Sequence, residues 1–209
     1  MLLRHGETAL TGQKRFSGSG GDDPALAQAG VEQAARAARA LAERGGLDAA
    51  ASATPVDAVV SSPLARCRQT AEPLAALLGL PVAVDEGLRE TDFGAWEGLT
   101  FAEARRQDPA ALDAWLAAPE AAPPGGESFA AVATRVAAAR DRLLAAYRGR
   151  TVVVVSHVTP IKTLVRLALG APQEALFRFE LAPASLSEIA YYADGAASLR
   201  YLNRLPPPL

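Results

Sequence analysis

Thr151-Val152-Val153-Val154-Val155-Ser156-His157 sets the architecture of this chain. Four consecutive valines without polar alternation predict a strand buried on both faces, as in a parallel sheet covered by helices. Branched side chains suit such a pleated, packed surface. His157 follows at once, at the carboxyl end of the strand. In open α/β sheets that edge is where ligand sites are built. The other histidine, His5, lies in Leu3-Arg4-His5-Gly6-Glu7-Thr8, again behind a short apolar start. With only two histidines in the chain, their shared place at strand ends suggests chemistry.

The surrounding pattern alternates strands and helices. Met1–Arg4 reads as a very short strand. Residues 11–24 are polar and glycine-rich and read as a loop. Ala25–Arg44 reads as a helix, with Leu26, Val31, Ala34, Ala38 and Leu41 at helical spacing and Gly45-Gly46 ending it. Asp57–Ser61 is a strand, Leu64–Leu78 a helix stopped by Gly79, and Val82–Val84 a short strand. Residues 86–98 are irregular. Thr100–Ala118 is helical with a break near Pro109. Ser128–Tyr147 is a long helix with Ser128 near its start. Thr159–Leu169 is a further helix. Leu186–Tyr192 and Leu199–Asn203 form a hairpin around Asp194-Gly195, and Pro206-Pro207-Pro208 is a frayed tail. These elements predict an α/β protein in three layers, α/β/α, around a mainly parallel sheet.

At 209 residues, one domain spanning 1–209 is expected. The net charge of -2 gives no general attraction for nucleic acid or an anionic membrane. No apolar stretch approaches a membrane span. The single cysteine, Cys67, excludes an internal disulfide and fits a reducing compartment. The start, Met1-Leu2-Leu3-Arg4, lacks the apolar core of a signal peptide. A cytoplasmic protein is the expectation.

Three strand ends deliver the chemistry. The first brings Arg4 and His5. The second brings Ser61-Ser62 and, on the next helix, Arg66. The third brings Ser156 and His157. If the strands are parallel neighbours, two arginines and two histidines meet at one edge. Helix N-termini facing that edge favour anions, and arginine forks bind phosphate oxygens at two points. A phosphoryl ligand is therefore expected. A metal is not, because Arg4 and Arg66 would repel a divalent cation and no zinc-type ligand cluster is present. Taken singly, each histidine reads as a hydrogen-bonded structural residue, and Arg66 and Arg68 as solvated helix residues. Glu90 alone reads as a surface carboxylate, Cys67 as buried filler, and Trp96 and Trp115 as packing. The joint occurrence shifts the balance.

Five motifs in order resemble the histidine phosphatase, or phosphoglycerate mutase-like, superfamily. They are Arg4-His5-Gly6-Glu7-Thr8, Ser61–Ala71, Leu88-Arg89-Glu90 with Phe93–Gly98, Gly125-Gly126-Glu127-Ser128, and Val155-Ser156-His157. The resemblance implies a phosphoglycerate mutase-like fold and a reaction without cofactor or metal. It implies that His5 is the nucleophile, that Arg4, Arg66 and His157 form the phosphate pocket, and that Glu90 is the general acid and then the base. It places Thr11, Ser17, Gly18, Val158 and Thr159 at the substrate, and 93–128 as a helical insertion covering it. Two departures stand out. Thr11 replaces a common asparagine, and Val158 follows His157 where glycine is common. The run Val158–Lys162 resembles a phosphatase domain fused behind a ribonuclease H domain and related to α-ribazole phosphatases. With the short first strand, it implies the C-terminal domain of a longer chain.

These features rank a phosphatase of small-molecule phosphomonoesters first, with α-ribazole 5'-phosphate as one candidate. A phosphoglycerate mutase ranks below it, because Glu97–Ser128 is short and poor in basic residues. A non-catalytic phospho-ligand binding module ranks lower still, since all the expected catalytic residue types are present. Oligomeric state is left open, a homodimer among the options.

Overall fold

In the computed structural model, residues 1–44 and 55–206 are described. The strands are β1 (Leu2–Arg4), β2 (Ala58–Ser61), β3 (Val82–Val84), β4 (Val152–Ser156), β5 (Leu186–Tyr191) and β6 (Ala197–Arg204). The helices are α1 (Ala9–Gly12), α2 (Gln28–Arg44), α3 (Ala65–Leu78), α4 (Phe101–Gln107), α5 (Pro109–Ala117), α6 (Phe129–Ala146) and α7 (Val158–Leu169). The strands form one sheet in the order β3-β2-β4-β1-β5-β6. The first four are mutually parallel, while β5 and β6 run antiparallel to their neighbours. This is the three-layer, mainly parallel architecture expected.

The valine run works as two interleaved faces, because side chains alternate along a strand. Val153 and Val155 pack with Leu3, Val59, Leu74 and Leu41 on the face covered by α2 and α3. Val154 packs with Leu2, Val60, Val136 and Leu164 on the face covered by α6 and α7. Each fully buried aliphatic side chain contributes about 1.5–3 kcal/mol relative to exposure. A third cluster, Phe93, Trp96, Trp115, Phe129 and Leu176, ties segment 93–128 to the main body. The indoles of Trp96 and Trp115 pack edge to face at 5.5 Å.

Local chemistry explains most element ends. Thr100 and Glu103 cap α4 reciprocally. Pro109 cannot continue a helix, so α4 stops at Gln107; Asp108 then caps α5, with Pro109 in its first turn. Ser128 accepts from the Ala131 N–H at the start of α6.

Some expectations need correction. The loop expected over 11–24 begins inside α1, which Thr8 and Thr11 cap. Helix α2 starts at Gln28, not Ala25, because Leu26 bridges to Thr8. Val31 is 49% exposed, so it is no core position of that helix. The irregular stretch 86–98 holds two 3₁₀ turns, Glu86–Leu88 and Gly94–Trp96. The expected stop at Gly45-Gly46 and Pro207-Pro208 of the tail lie outside the described residues.

Candidate active site

Register decides what meets at the sheet edge. Arg4 pairs with Ser156 across β1 and β4, and the His5 N–H donates to the Ser156 carbonyl at 3.0 Å. Ser61 pairs with Val155, and the Ser62 N–H donates to the Val155 carbonyl at 2.9 Å. The residues after β1, β2 and β4 are thereby forced into one place. The rings of His5 and His157 lie 5.1 Å apart between centroids.

His5 is 6% exposed and its Nδ1 lies 2.7 Å from the Gly6 carbonyl. A carbonyl can only accept, so Nδ1 carries the proton and Nε2 keeps a lone pair. Burial is the main force pushing the His5 pKa well below 6.5, and the charges of Arg4 and Arg66 add to it. His157 is fully buried and its pKa is pushed down in the same way, by burial first and then by Arg66, His5 and Arg4. Its Nε2 lies 2.8 Å from Ser62 Oγ and 3.3 Å from Cys67 Sγ. Burial holds the Cys67 thiol well above its usual range, which makes it inert packing beside the ring.

The two arginines are held but not saturated. Arg4 donates through Nη1 to the Leu181 carbonyl. Arg66, 0% exposed, donates from Nη2 to the Ser17 and Gly18 carbonyls at 2.9 and 3.1 Å, and from Nη1 to Asp23 at 3.3 Å. Yet Nε of each is buried without a hydrogen-bond partner. A buried unsatisfied donor on a cation is costly, and an anion is what would satisfy it. Glu90 is also buried; its carboxylate accepts from the Thr91 N–H at 2.8 Å and from the Thr159 N–H at 3.3 Å.

Arg4, His5, Arg66, Glu90 and His157 thus share one buried cluster. Ser17 and Gly18 join it through their carbonyls, and Thr159 through its N–H. Val158 opens α7 beside His157. Thr11 is placed differently. Its hydroxyl lies 3.0 Å from that of Thr8 and accepts from the Thr8 N–H, so it is engaged in the α1 cap. Arg68 is exposed. Among the described residues no group of three or more His, Cys, Asp or Glu side chains could hold a metal ion.

Sequence reasoning missed the residues that support this cluster. Asp23 accepts from the Ala65 N–H at 2.8 Å and pairs with Arg66, so it both caps α3 and orients the guanidinium. Glu97 accepts from the N–H groups of Gly18, Gly20 and Phe93. It thereby fixes the loop whose carbonyls hold Arg66. Gly18 allows this approach, because a Cβ there would collide with Glu97 and with the Thr91 carbonyl. An acidic residue beside a glycine-rich loop is a visible signal for Asp23. Glu97 has none, since its partners are backbone N–H groups, and those of Gly18 and Gly20 lie far away in sequence.

The chain is similar to known proteins over most of its length. The sequence model of the histidine phosphatase superfamily (branch 1) matches residues 1–204. A Mycobacterium tuberculosis protein named as bifunctional is 52% identical over 204 residues, which is 98% of this chain and 53% of that protein. The chain therefore spans about half the length of these curated relatives. A glucosyl-3-phosphoglycerate phosphatase of Mycolicibacterium vanbaalenii is 37% identical over 179 residues, 82% of this chain and 74% of its own. The crystal structure of the α-ribazole phosphatase of Shigella flexneri superposes with a TM-score of 0.81 at 29% identity, covering 97% of this chain and 95% of that one.

Proposed function

We propose that this chain, which belongs to the histidine phosphatase superfamily (branch 1), is a metal-independent acid phosphatase acting on small-molecule phosphomonoesters. Nε2 of His5 attacks phosphorus and the bond to the leaving oxygen breaks, giving a phosphohistidine. Protonated Glu90 delivers its proton to that oxygen, because an alkoxide leaves poorly alone. Glu90, now a carboxylate, takes a proton from water as the water attacks phosphorus. Inorganic phosphate departs and His5 is regenerated. Arg4, Arg66 and His157 neutralise the transferring oxygens. Ser17, Gly18, Val158 and Thr159 border the substrate, and 93–128 covers its leaving group.

The observation that carries this reading is the nucleophile's own geometry. The Gly6 carbonyl consumes the Nδ1 proton, while two buried guanidiniums retain free Nε donors beside the ring. The His5 pKa, depressed first by burial, adds that the attacking nitrogen stays unprotonated in mild acid.

Two relatives supply substrates to try first. One is α-ribazole 5'-phosphate, the other glucosyl-3-phosphoglycerate. The match to half of a protein named as bifunctional supports a further reading. In it the natural chain joins this single domain to an N-terminal ribonuclease H domain and works in the cytoplasm. Nothing in the site recruits nucleic acid to this domain itself. Among the described residues no helix is long and apolar enough to cross a membrane.

The test is a phosphomonoester panel combined with acid-quench trapping. Turnover with an acid-labile phosphoenzyme on His5 is expected. Phosphate binding without turnover on any ester would place the chain among binding modules. Glu90→Gln should lower kcat/KM by about 10²–10⁴-fold on alkyl esters and far less on p-nitrophenyl phosphate. Equal loss on both would remove Glu90 as the acid.

A further inference from the structure

Residues 87–90 lead from a single 3₁₀ turn into irregular backbone just before the Glu90 carboxyl. All four of their carbonyl oxygens accept from side chains. Arg135, on α6, donates from Nη1 to the Gly87 and Arg89 carbonyls at 3.0 and 2.7 Å, and from Nη2 to the Glu90 carbonyl at 3.0 Å. Ser156 Oγ donates to the Leu88 carbonyl at 2.8 Å.

Arg135 is itself held in a fork. Its Nε and Nη2 each donate to Glu127 at 2.9 Å. All five guanidinium donors are thereby used. Glu127 also reaches the far side of Glu90. Its carboxylate accepts from the Asp92 N–H at 3.0 Å, and its own N–H donates to the Asp92 carbonyl at 2.8 Å. One ion pair grips the backbone before and after Glu90. The pair is largely buried, with side chains 16% and 23% exposed.

We infer that Arg135, fixed by Glu127, is a positioning residue for the Glu90 acid. It sets the backbone from which that carboxyl reaches the leaving oxygen, without touching substrate. The inference rests on the reading of Glu90 given above. Its energetic logic is that proton transfer tolerates little misplacement. A shift of about 1 Å can cost about 10²-fold in rate. Phosphate binding, carried by Arg4, Arg66 and His157, does not pass through this clamp.

The experiment compares Arg135→Gln, Arg135→Lys and Glu127→Gln on two esters. p-Nitrophenyl phosphate has a leaving group that needs no proton; glycerol 3-phosphate has one that does. For Arg135→Gln, kcat/KM on the alkyl ester should fall about 10- to 100-fold. On the aryl ester it should change by less than about threefold, with inhibition by inorganic phosphate unmoved. Combined with Glu90→Gln, the substitution should cost nothing further. Arg135→Lys should recover little, because an ammonium cannot reproduce the planar fork.

Equal loss on both esters, weakened phosphate inhibition, or multiplicative loss in the double variant overturns the positioning role. If Arg135→Gln does not fold, Glu127→Gln removes the carboxylate that fixes the guanidinium; loss confined to the alkyl ester supports the role, and no loss or equal loss on both esters overturns it. A wild-type chain inactive on every phosphomonoester overturns the reading of the site itself. An active wild type with uniform loss in the variants overturns the role of Arg135 alone.

Discussion

Acidification should expose the state of the two histidines. Both have folded-state pKa values pushed well below 6.5, first by burial and then by neighbouring cations, so both are neutral in the folded protein at neutral pH. In the unfolded chain each titrates near the ordinary 6.5. Below that pH the unfolded state binds a proton that the folded state refuses. Their stability contribution is therefore complete above 6.5 and is lost as pH falls from there toward the folded values. Between about pH 7.5 and about pH 5.5 a histidine that stays neutral on folding costs about 1.4 kcal/mol, roughly 2.7 kcal/mol for the pair. The Met1 amine, lowered to about 6 mainly by burial, overlaps this window and must be cancelled. The assay is urea unfolding at both pH values, in phosphate-free buffer, for the wild type and a His5→Asn/His157→Asn variant. The amine contributes equally to both proteins, so the wild type should lose about 2.7 kcal/mol more than the variant. Equal losses would mean that the imidazoles are already charged when folded, and a protonated ring cannot attack phosphorus.

His5→Ala should abolish turnover and phosphoenzyme formation while the circular dichroism spectrum is retained; residual turnover at the wild-type rate would remove His5 as nucleophile. Arg66→Ala deletes charge-assisted bonds worth about 1.5–3 kcal/mol, so phosphate inhibition should weaken roughly 10- to 150-fold; an unchanged inhibition constant would contradict the clamp. Gly18→Ala should act on the same constant indirectly, because the added Cβ would push the loop off Glu97 and carry its Arg66-binding carbonyls with it. A Gly18→Ala protein with wild-type phosphate affinity would show that the loop does not set the arginine.

Strand ends were legible in the sequence because burial on two faces leaves a simple trace. The valine run announced β4, and in the structure Leu2 shares a core with Val154 and Leu3 with Val155, as alternation along paired strands requires. Helix starts were legible where a capping side chain stands next to its helix, as at Ser128. What could not be read were bonds between a side chain and distant backbone. Glu97 serves N–H groups of Gly18 and Gly20, and Arg135 serves carbonyls of residues 87–90. Backbone groups have no sequence identity, so nothing in the text of the chain pairs them with a given Glu or Arg. Val31 fails for a related reason. At the start of α2, helical spacing alone does not tell which turn reaches the core.

The same division explains how the site tolerates its own electrostatics. Arg66 is buried and Arg4 partly buried beside two imidazoles, and such crowding of donors would normally favour repulsion or water entry. The fold answers mostly with neutral acceptors. The carbonyls of Ser17, Gly18 and Leu181 take guanidinium N–H groups, and among the described residues Asp23 alone of the carboxylates is bonded to Arg66. Carbonyls orient an arginine without neutralising it, so the cationic field stays available to an incoming anion and adds to the burial that keeps both rings unprotonated. Full ion pairing of Arg4 and Arg66 would have quenched that field and let the His5 pKa rise. On this argument, placing a new carboxylate against Arg66 should hurt the reaction more than removing hydrogen bonds from it, because it fills the anion's place and weakens the field that opposes protonation of the ring.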